Sequence, residues 1–363
     1  MRHFIVVLLF AVMAAPFPVH ASGDSEAEAP EVRYVSVMLP DAADSHPLYR
    51  MIADGAEAAV ADRAGLEVEV LTDVRRGDAR LGERAGDRRV ELVVMGGGAL
   101  LEEAIRVAAE HPDTPVLIVD GEAPQLPNAA GILINRREQA FLAGYIAGLR
   151  LEAENPPEVR GTEAPSAAEI AAADTAGLLI ETELHMGEQV IHPGYRLGLK
   201  AAADENRVRA GRLPLGGSAS ALGSRIEDFD ADGIPVLLPA LYTNRPSVAR
   251  TIRETRIDLL WLDEASPETG KGRVLASIPL EIEDLVAEMI AGILDGGPES
   301  VETVEASFRT GRMTLNTDFD RFESAFDSPT RRRIERMAER LESGELSLRM
   351  PQAPAPPRDP QDQ

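Results

Sequence analysis

The sequence predicts a bilobal α/β protein, two parallel sheets flanked by helices with a cleft between them. Three observations lead there. From Val32 onward, short β-branched apolar runs alternate with amphipathic stretches of about 12 to 18 residues, the signature of βαβ units. The alternation occurs twice, separated by the Glu-, Pro- and Ala-rich stretch Ala153 to Ala173, which has no apolar period. At 363 residues the chain is long enough for two domains and a tail.

In the first half the runs predict strands at Val32 to Leu39, Leu66 to Leu71, Glu91 to Met95, Pro115 to Val119 and Gly131 to Ile134. Helices fall at Leu48 to Arg63, Ala79 to Asp87 and Leu100 to Glu110. Ile52, Ala56, Ala59 and Val60 share one face of the first of these, the spacing of a core-facing stripe. Glu138 to Leu151 is a further helix, where Gly144 and Gly148 among large apolar residues predict close packing against a sheet. The second half gives strands at Gly177 to Ile180, Val236 to Leu238, Leu259 to Leu262 and Arg273 to Ile278. Its helices are Gly194 to Glu205, Pro246 to Thr255 and Glu281 to Leu294. A late strand within Val301 to Phe308 and a charged helix at Thr330 to Leu341 complete the pattern.

The first residues read as an address. Met1-Arg2-His3 is a basic start, Phe4 to Ala15 is apolar, and Val19-His20-Ala21 is a small-x-small cleavage end. The apolar run is shorter than the ~20 residues of a spanning helix and is followed by Pro16 and Pro18, so a cleaved signal peptide outranks an anchor. The division expected is a signal peptide over 1–21, an N-terminal α/β lobe over 32–150 and a linker or surface excursion over 151–173. A C-terminal α/β lobe then covers 174–310, with the chain crossing back near 280–310. A helical segment over 311–348 and a disordered proline-rich tail over 349–363 follow.

Composition narrows function. With 61 acidic and 37 basic side chains the net charge is -24, which opposes binding to nucleic acid, and no basic patch interrupts it. The absence of cysteine excludes disulfides, thiolate zinc sites, iron–sulfur clusters, thiol nucleophiles and lipidation of a lipobox cysteine. An exported, acidic monomer of the periplasm or another extracytoplasmic compartment is expected.

No motif points to catalysis, a cofactor or a metal. Gly96-Gly97-Gly98 follows a strand and opens a helix, so its amides either face a ligand or merely allow a tight turn. It is not a dinucleotide fingerprint, since position 101 is leucine, and neither a phosphate-binding P-loop nor a G-x-S-x-G elbow occurs. His185 and His192 lie near Glu181, Glu183 and Glu188 without a metal-binding spacing, and pairs such as Asp228 and Asp230 or Asp318 and Asp320 read as solvated. Asp263 differs. It ends the apolar run Leu259 to Leu262, where an open α/β sheet presents side chains to its cleft, so it is either a ligand carboxylate or a helix N-cap. Tyr242 and Asn244 hold the equivalent place after Val236 to Leu238, offering a ring and an amide.

One set of segments is more specific. Leu92 to Gly98, Ala104 to Pro112, Val116 to Asp120, Pro127-Asn128 and the run Phe141 to Leu149 after "INRREQA" resemble the basic membrane protein family. These are purine nucleoside receptor-like substrate-binding proteins of ABC importers. His192 to Gly198 and Leu260 to Asp263 extend the resemblance to about Val32 to Gly296. It implies a periplasmic-binding-protein fold of two Rossmann-like lobes that close by a hinge on a small molecule and present it to an ABC permease. Asp263 matches the family's ribose-binding aspartate, and Gly96-Gly97 its cleft loop.

The chain also departs from the family. In place of an acidic residue followed by "S-F-N-Q" stands Asp44-Ser45-His46-Pro47-Leu48-Tyr49-Arg50, where Asp44 matches and either Leu48 replaces the aromatic and Tyr49 the asparagine, or a one-residue shift gives Tyr49 the stacking role with Arg50 beside it. No lysine occurs in Ser277 to Leu280, and the family's glycine-rich loop becomes Leu241 to Asn244. The reading is an importer's binding protein holding a small polar ligand, a nucleoside among the candidates, through Asp44, Tyr49, Gly96, Gly97, Tyr242, Asn244 and Asp263. A ligand sensor that signals to a membrane receptor or protein partner without transport is the alternative, and an exported enzyme ranks third. On this reading, Asp263→Ala weakens binding with little loss of stability, and Tyr49 offers a free face to the ligand.

Overall fold

Among the described residues eleven strands form two wholly parallel sheets. The structure is a computed structural model and describes residues 32–123, 126–154, 174–182, 186–243, 245–265, 272–300 and 302–350. The expected signal peptide, most of the expected linker, His185, Glu183, Asn244 and nearly all of the expected tail lie outside the described residues. The first sheet contains β1 (Arg33–Met38), β2 (Leu66–Leu71), β3 (Val90–Gly96), β4 (Val116–Val119), β5 (Ala129–Ile134) and β11 (Val304–Ala306), ordered β11-β5-β4-β3-β1-β2. The second contains β6 (Thr175–Glu181), β7 (Arg207–Leu213), β8 (Val236–Ala240), β9 (Asp258–Asp263) and β10 (Val274–Pro279), ordered β10-β9-β8-β6-β7. Reading β6 to β10 against β1 to β5, the second sheet repeats the order of the first. This is the doubly wound arrangement, whose crevice lies at the carboxyl ends of the strands.

The central strands are continuous apolar runs because a parallel sheet is covered on both faces. All four residues of β4 and all five of β8 are buried. Alternate side chains go to opposite faces. Val35, Val37, Leu92, Val94, Leu178, Ile180, Leu260 and Leu262 join a core shared by both sheets, while Val93, Met95 and Ile118 face a second core and Leu237, Leu259 and Trp261 a third.

Helices α1 (Pro47–Val60), α2 (Ala79–Ala85) and α3 (Leu101–Glu110) cover the first sheet. Then α4 (Arg136–Glu154) carries the chain across to the second, joined by α5 (His192–Ala202), α6 (Ala219–Ala231) and α7 (Arg245–Ile252). The chain returns with α8 (Glu283–Gly296), which packs on α1 and leads to β11 in the first sheet. It crosses a third time to α9 (Asp320–Ala325) against β10 and α10 (Ser328–Glu342) against α4. Three segments therefore connect the lobes, which permits hinge motion while holding them in register.

Gly144 has a different neighbour from the one expected. The Cβ of an alanine there would fall on the Tyr195 carbonyl of α5, and one at Gly198 of α5 would fall on the Phe141 carbonyl of α4. The small residues thus serve a helix-on-helix crossing, two backbones each leaning on the other's glycine. β7 and α6 are not marked by apolar periodicity. β7 is an edge strand whose sequence RVRAGRL needs little burial, and α6 buries only Leu222, Ile226 and Phe229.

After α10 the chain lies against the start of α4, the first crossing between the lobes. Asn135 Nδ2 donates to the Leu348 carbonyl at 3.1 Å, the Leu348 amide to Glu138 Oε1 at 3.4 Å, and Arg137 to the Arg349 carbonyl at 3.0 Å. Burial, aided by the charge of Glu305, pushes the Glu138 carboxyl from 4.5 to about 7. The folded state thus holds this proton more tightly than the unfolded chain. Its contribution to stability is complete below about pH 4.5 and is lost as pH rises through 7. The melting temperature of the wild type is expected to fall more between pH 5 and pH 8 than that of Glu138→Gln; equal slopes would show a hydrated carboxyl.

Candidate functional site

The two strand-end aspartates build the site. Asp120 follows β4 and Asp263 ends β9, the topologically equivalent strand of the other lobe. Both have φ 68°, the left-handed region that costs a non-glycine residue about 1 kcal/mol. Their carboxylates meet on one guanidinium. Arg136, at the start of α4, donates from Nε to Asp120 Oδ1 at 3.1 Å and from Nη2 to Asp120 Oδ2 at 2.9 Å, while its Nη1 reaches Asp263 and, at 2.8 Å, Gln139 Oε1. One helical turn on, Gln139 Nε2 donates to Asp263 Oδ1 at 2.8 Å and to the Ile278 carbonyl at 3.0 Å. Asn135 fixes this turn, its Oδ1 accepting the Glu138 amide at 3.1 Å as an N-cap does.

Burial raises the Asp263 pKa, but the Arg136 and Arg245 guanidiniums and the hydrogen bond from Gln139 outweigh it and hold the carboxyl at about 2. Burial likewise disfavours the charged Arg136, yet Asp120 and Asp263 hold its pKa well above the usual value. Two buried carboxylates and two buried guanidiniums, Arg136 and Arg245, balance each other.

Rings and hydroxyls cross between lobes. Tyr242 Oη donates to Asp120 Oδ2 at 3.0 Å, and Tyr49 Oη donates to the Tyr242 carbonyl at 2.9 Å. Glu181, at the end of β6, accepts the Tyr242 amide at 2.7 Å and the Thr243 hydroxyl, fixing that loop; burial raises its pKa. His46 lies nearly parallel to Tyr242, centroids 6.2 Å apart at 15°. His46 is the N-cap of α1, its Nδ1 accepting the Leu48 amide at 3.1 Å, and burial holds its pKa well below the usual value. The neutral ring therefore carries its proton on Nε2.

The interior space left among these groups is about 10 Å3, room for a single water. A second cavity of about 440 Å3 opens at the mouth between the lobes, with Asp44, Ser45 and Arg50 on one side and Trp261 and Glu264 on the other. Arg245 lines both.

The residues picked out from sequence are divided by this arrangement. Tyr242 and Asp263 are central, and the Asp263 carboxylate engages Arg136 and Gln139 of α4. Tyr49 is fully buried, with its hydroxyl committed and its ring against Gly97, so it forms a wall and not a free stacking face. Gly96 is a packing glycine, its missing Cβ facing Ile52 and Leu39. Gly97, at φ 87°, makes the tight turn, and its amide is bonded to the Val119 carbonyl at 3.1 Å. Asp44 is exposed at the outer cavity.

Asp120, Arg136, Gln139, Glu181, His46 and Arg245 were missed. Asp120 and Glu181 carry the strand-end signal that picked out Asp263. Arg136 and Gln139 are polar residues heading an otherwise apolar helix. Among the described residues no group of three or more histidine or acidic side chains is placed to hold a metal ion. No helix there is long and apolar enough to cross a membrane.

Two parallel-sheet lobes with charged strand ends meeting between them define a solute-binding protein of the two-lobe type. The chain belongs to the Bmp family, described as ABC transporter substrate-binding protein PnrA-like, whose model matches residues 32–345. Among solved structures, an ABC transporter solute-binding protein from Aeropyrum pernix K1 superposes with TM-score 0.67 at 16% identity, covering 91% of this chain and 95% of its own. One from Conexibacter woesei DSM 14684 gives 0.56 at 18% identity, covering 88% and 99%. One from Burkholderia graminis C4D1M in complex with D-arabinose gives 0.53 at 15% identity, covering 80% and 96%. At these identities the superpositions establish the fold alone.

Proposed function

We propose that this chain is the exported, extracytoplasmic binding component of an ABC importer, and that its ligand is a nucleoside-class molecule captured between the lobes. The observation that carries the reading is the convergence of equivalent strand-end acids, both in left-handed backbone, beside rings contributed by opposite lobes. Strain of this kind collects where a structure holds a group for use. Parting of the lobes about the three connections separates Tyr49 from Tyr242 and Tyr242 from Asp120. A flat heterocycle then enters between the His46 and Tyr242 rings, and the strand-end acids accept from its polar groups. The closed form is the one presented to the permease, and the protein acts as a monomer.

Native mass spectrometry of the mature protein with nucleosides, bases, sugars and amino acids tests this. A nucleoside adduct, accompanied by a change in radius of gyration, is the expected result. Adducts with sugars or amino acids alone, or none from any class, would overturn the nucleoside assignment.

A further inference from the structure

Arg245 is the one charged group in the interlobe network that its surroundings serve badly. It is 4% exposed, yet its Nε has no hydrogen-bond partner. Its Nη1 lies 3.2 Å from His46 Nε2, but that nitrogen carries the ring proton, so the contact sets donor against donor. Asp263 Oδ2 is 3.8 Å away, too far for a hydrogen bond. Among the described residues a single hydrogen bond holds the guanidinium, from Nη2 to the Leu262 carbonyl at 2.6 Å. Burial pulls its pKa below the usual value, whereas Arg136, bonded to both aspartates, is raised. An under-satisfied buried cation is costly to keep in place.

A place for it to go adjoins it. Arg245 forms the wall between the inner space of about 10 Å3 and the outer cavity of about 440 Å3, on whose rim stand the carboxylates of Asp44 and Glu264. Its guanidinium carbon now sits 4.5 Å from the centroid of Trp261, the chain's single tryptophan, whose Nε1 bonds Glu264 at 3.1 Å. Rotation about the side chain carries the charge from the inner site toward those acids. It leaves behind two acceptors, Asp263 Oδ2 and the Leu262 carbonyl.

We propose, building on the nucleoside reading, that Arg245 is a built-in occupant and specificity filter of the interlobe site, replaced by a ligand that presents a planar edge of adjacent N–H donors. Two kinds of molecule carry that edge: a guanidinium compound, and a 2-amino-6-oxopurine such as guanosine, with its ring N–H beside an exocyclic amine. A rigid ligand edge can approach both acceptors where the tethered arginine reaches one. Inosine has the ring N–H without the amine and lacks the pair.

Trp261 emission and calorimetry separate the sources. With wild-type protein, guanosine or arginine is expected to shift Trp261 emission as Arg245 leaves the indole, and guanosine is expected to bind at least tenfold more tightly than inosine. Methylguanidinium is expected to raise the melting temperature of Arg245→Ala by more than that of the wild type, where it must first displace the resident guanidinium. Arg245→Met, which keeps the stem over Trp261, serves the same comparison if the alanine variant does not fold.

Guanosine and inosine binding within twofold of each other, with no rescue of either variant by methylguanidinium, would overturn the filter and leave the nucleoside reading standing. Rescue together with arginine binding, but without binding of any nucleoside, would uphold the filter and refute the nucleoside assignment.

Discussion

Asp263→Ala is expected to lower the free energy of unfolding by about 3–5 kcal/mol, the scale of breaking a buried ion pair from one side. The carboxylate accepts from Arg136 and Gln139 and is the nearest anion to Arg245, and all these groups are buried. Its removal leaves Arg136 with Asp120 as its remaining ion-pair partner and takes away the carboxylate 3.8 Å from Arg245. Sequence position suggested a residue that could be removed with little effect on stability, because a strand end presents its side chain to the cleft, where it would serve a ligand. In the structure the same residue ties α4 to β9. Asp44→Ala, at the exposed rim, is the control and should stay within ~0.5 kcal/mol of wild type. Denaturant unfolding measures both. A loss below about 1 kcal/mol for Asp263→Ala would mean that water reaches the network in solution.

Gly144→Leu is expected to cost about 3 kcal/mol, the upper end for overpacking. The added side chain would meet the backbone carbonyl of Tyr195, and a carbonyl inside a helix cannot rotate aside as a side-chain tip can. Nor can α5 simply shift, because Gly198 brings its backbone equally close to Phe141. Gly82→Ala is the contrast: its Cβ meets only His111 Nε2 at 3.7 Å, an ordinary contact, and alanine favours the helix by about 0.5–1 kcal/mol. Thermal melts of the two should move in opposite directions. An unchanged melting temperature for Gly144→Leu would show that α4 and α5 part readily.

The two predictions mark where sequence information stops. The sequence by itself determined the succession of strands and helices through most of both lobes, since the apolar runs of β4, β8 and β9 and the stripe of α1 are set by local periodicity and complete burial. It did not mark β7, an edge strand with little burial to leave a pattern, or α6, whose stripe is three residues wide. It singled out Asp263 and Tyr242 because a strand end is a local feature. It attached no role to Arg136, Gln139 or Arg245, whose partners lie 127, 124 and 17 residues away. Only the tertiary structure brought Asp120 and Asp263 onto one guanidinium, placed Tyr49 in a wall, and left Arg245 with a bare Nε between two cavities. The physical reason is that burial follows from each segment's own composition. Charge balance and hydrogen-bond satisfaction depend on which distant groups share the same few ångströms.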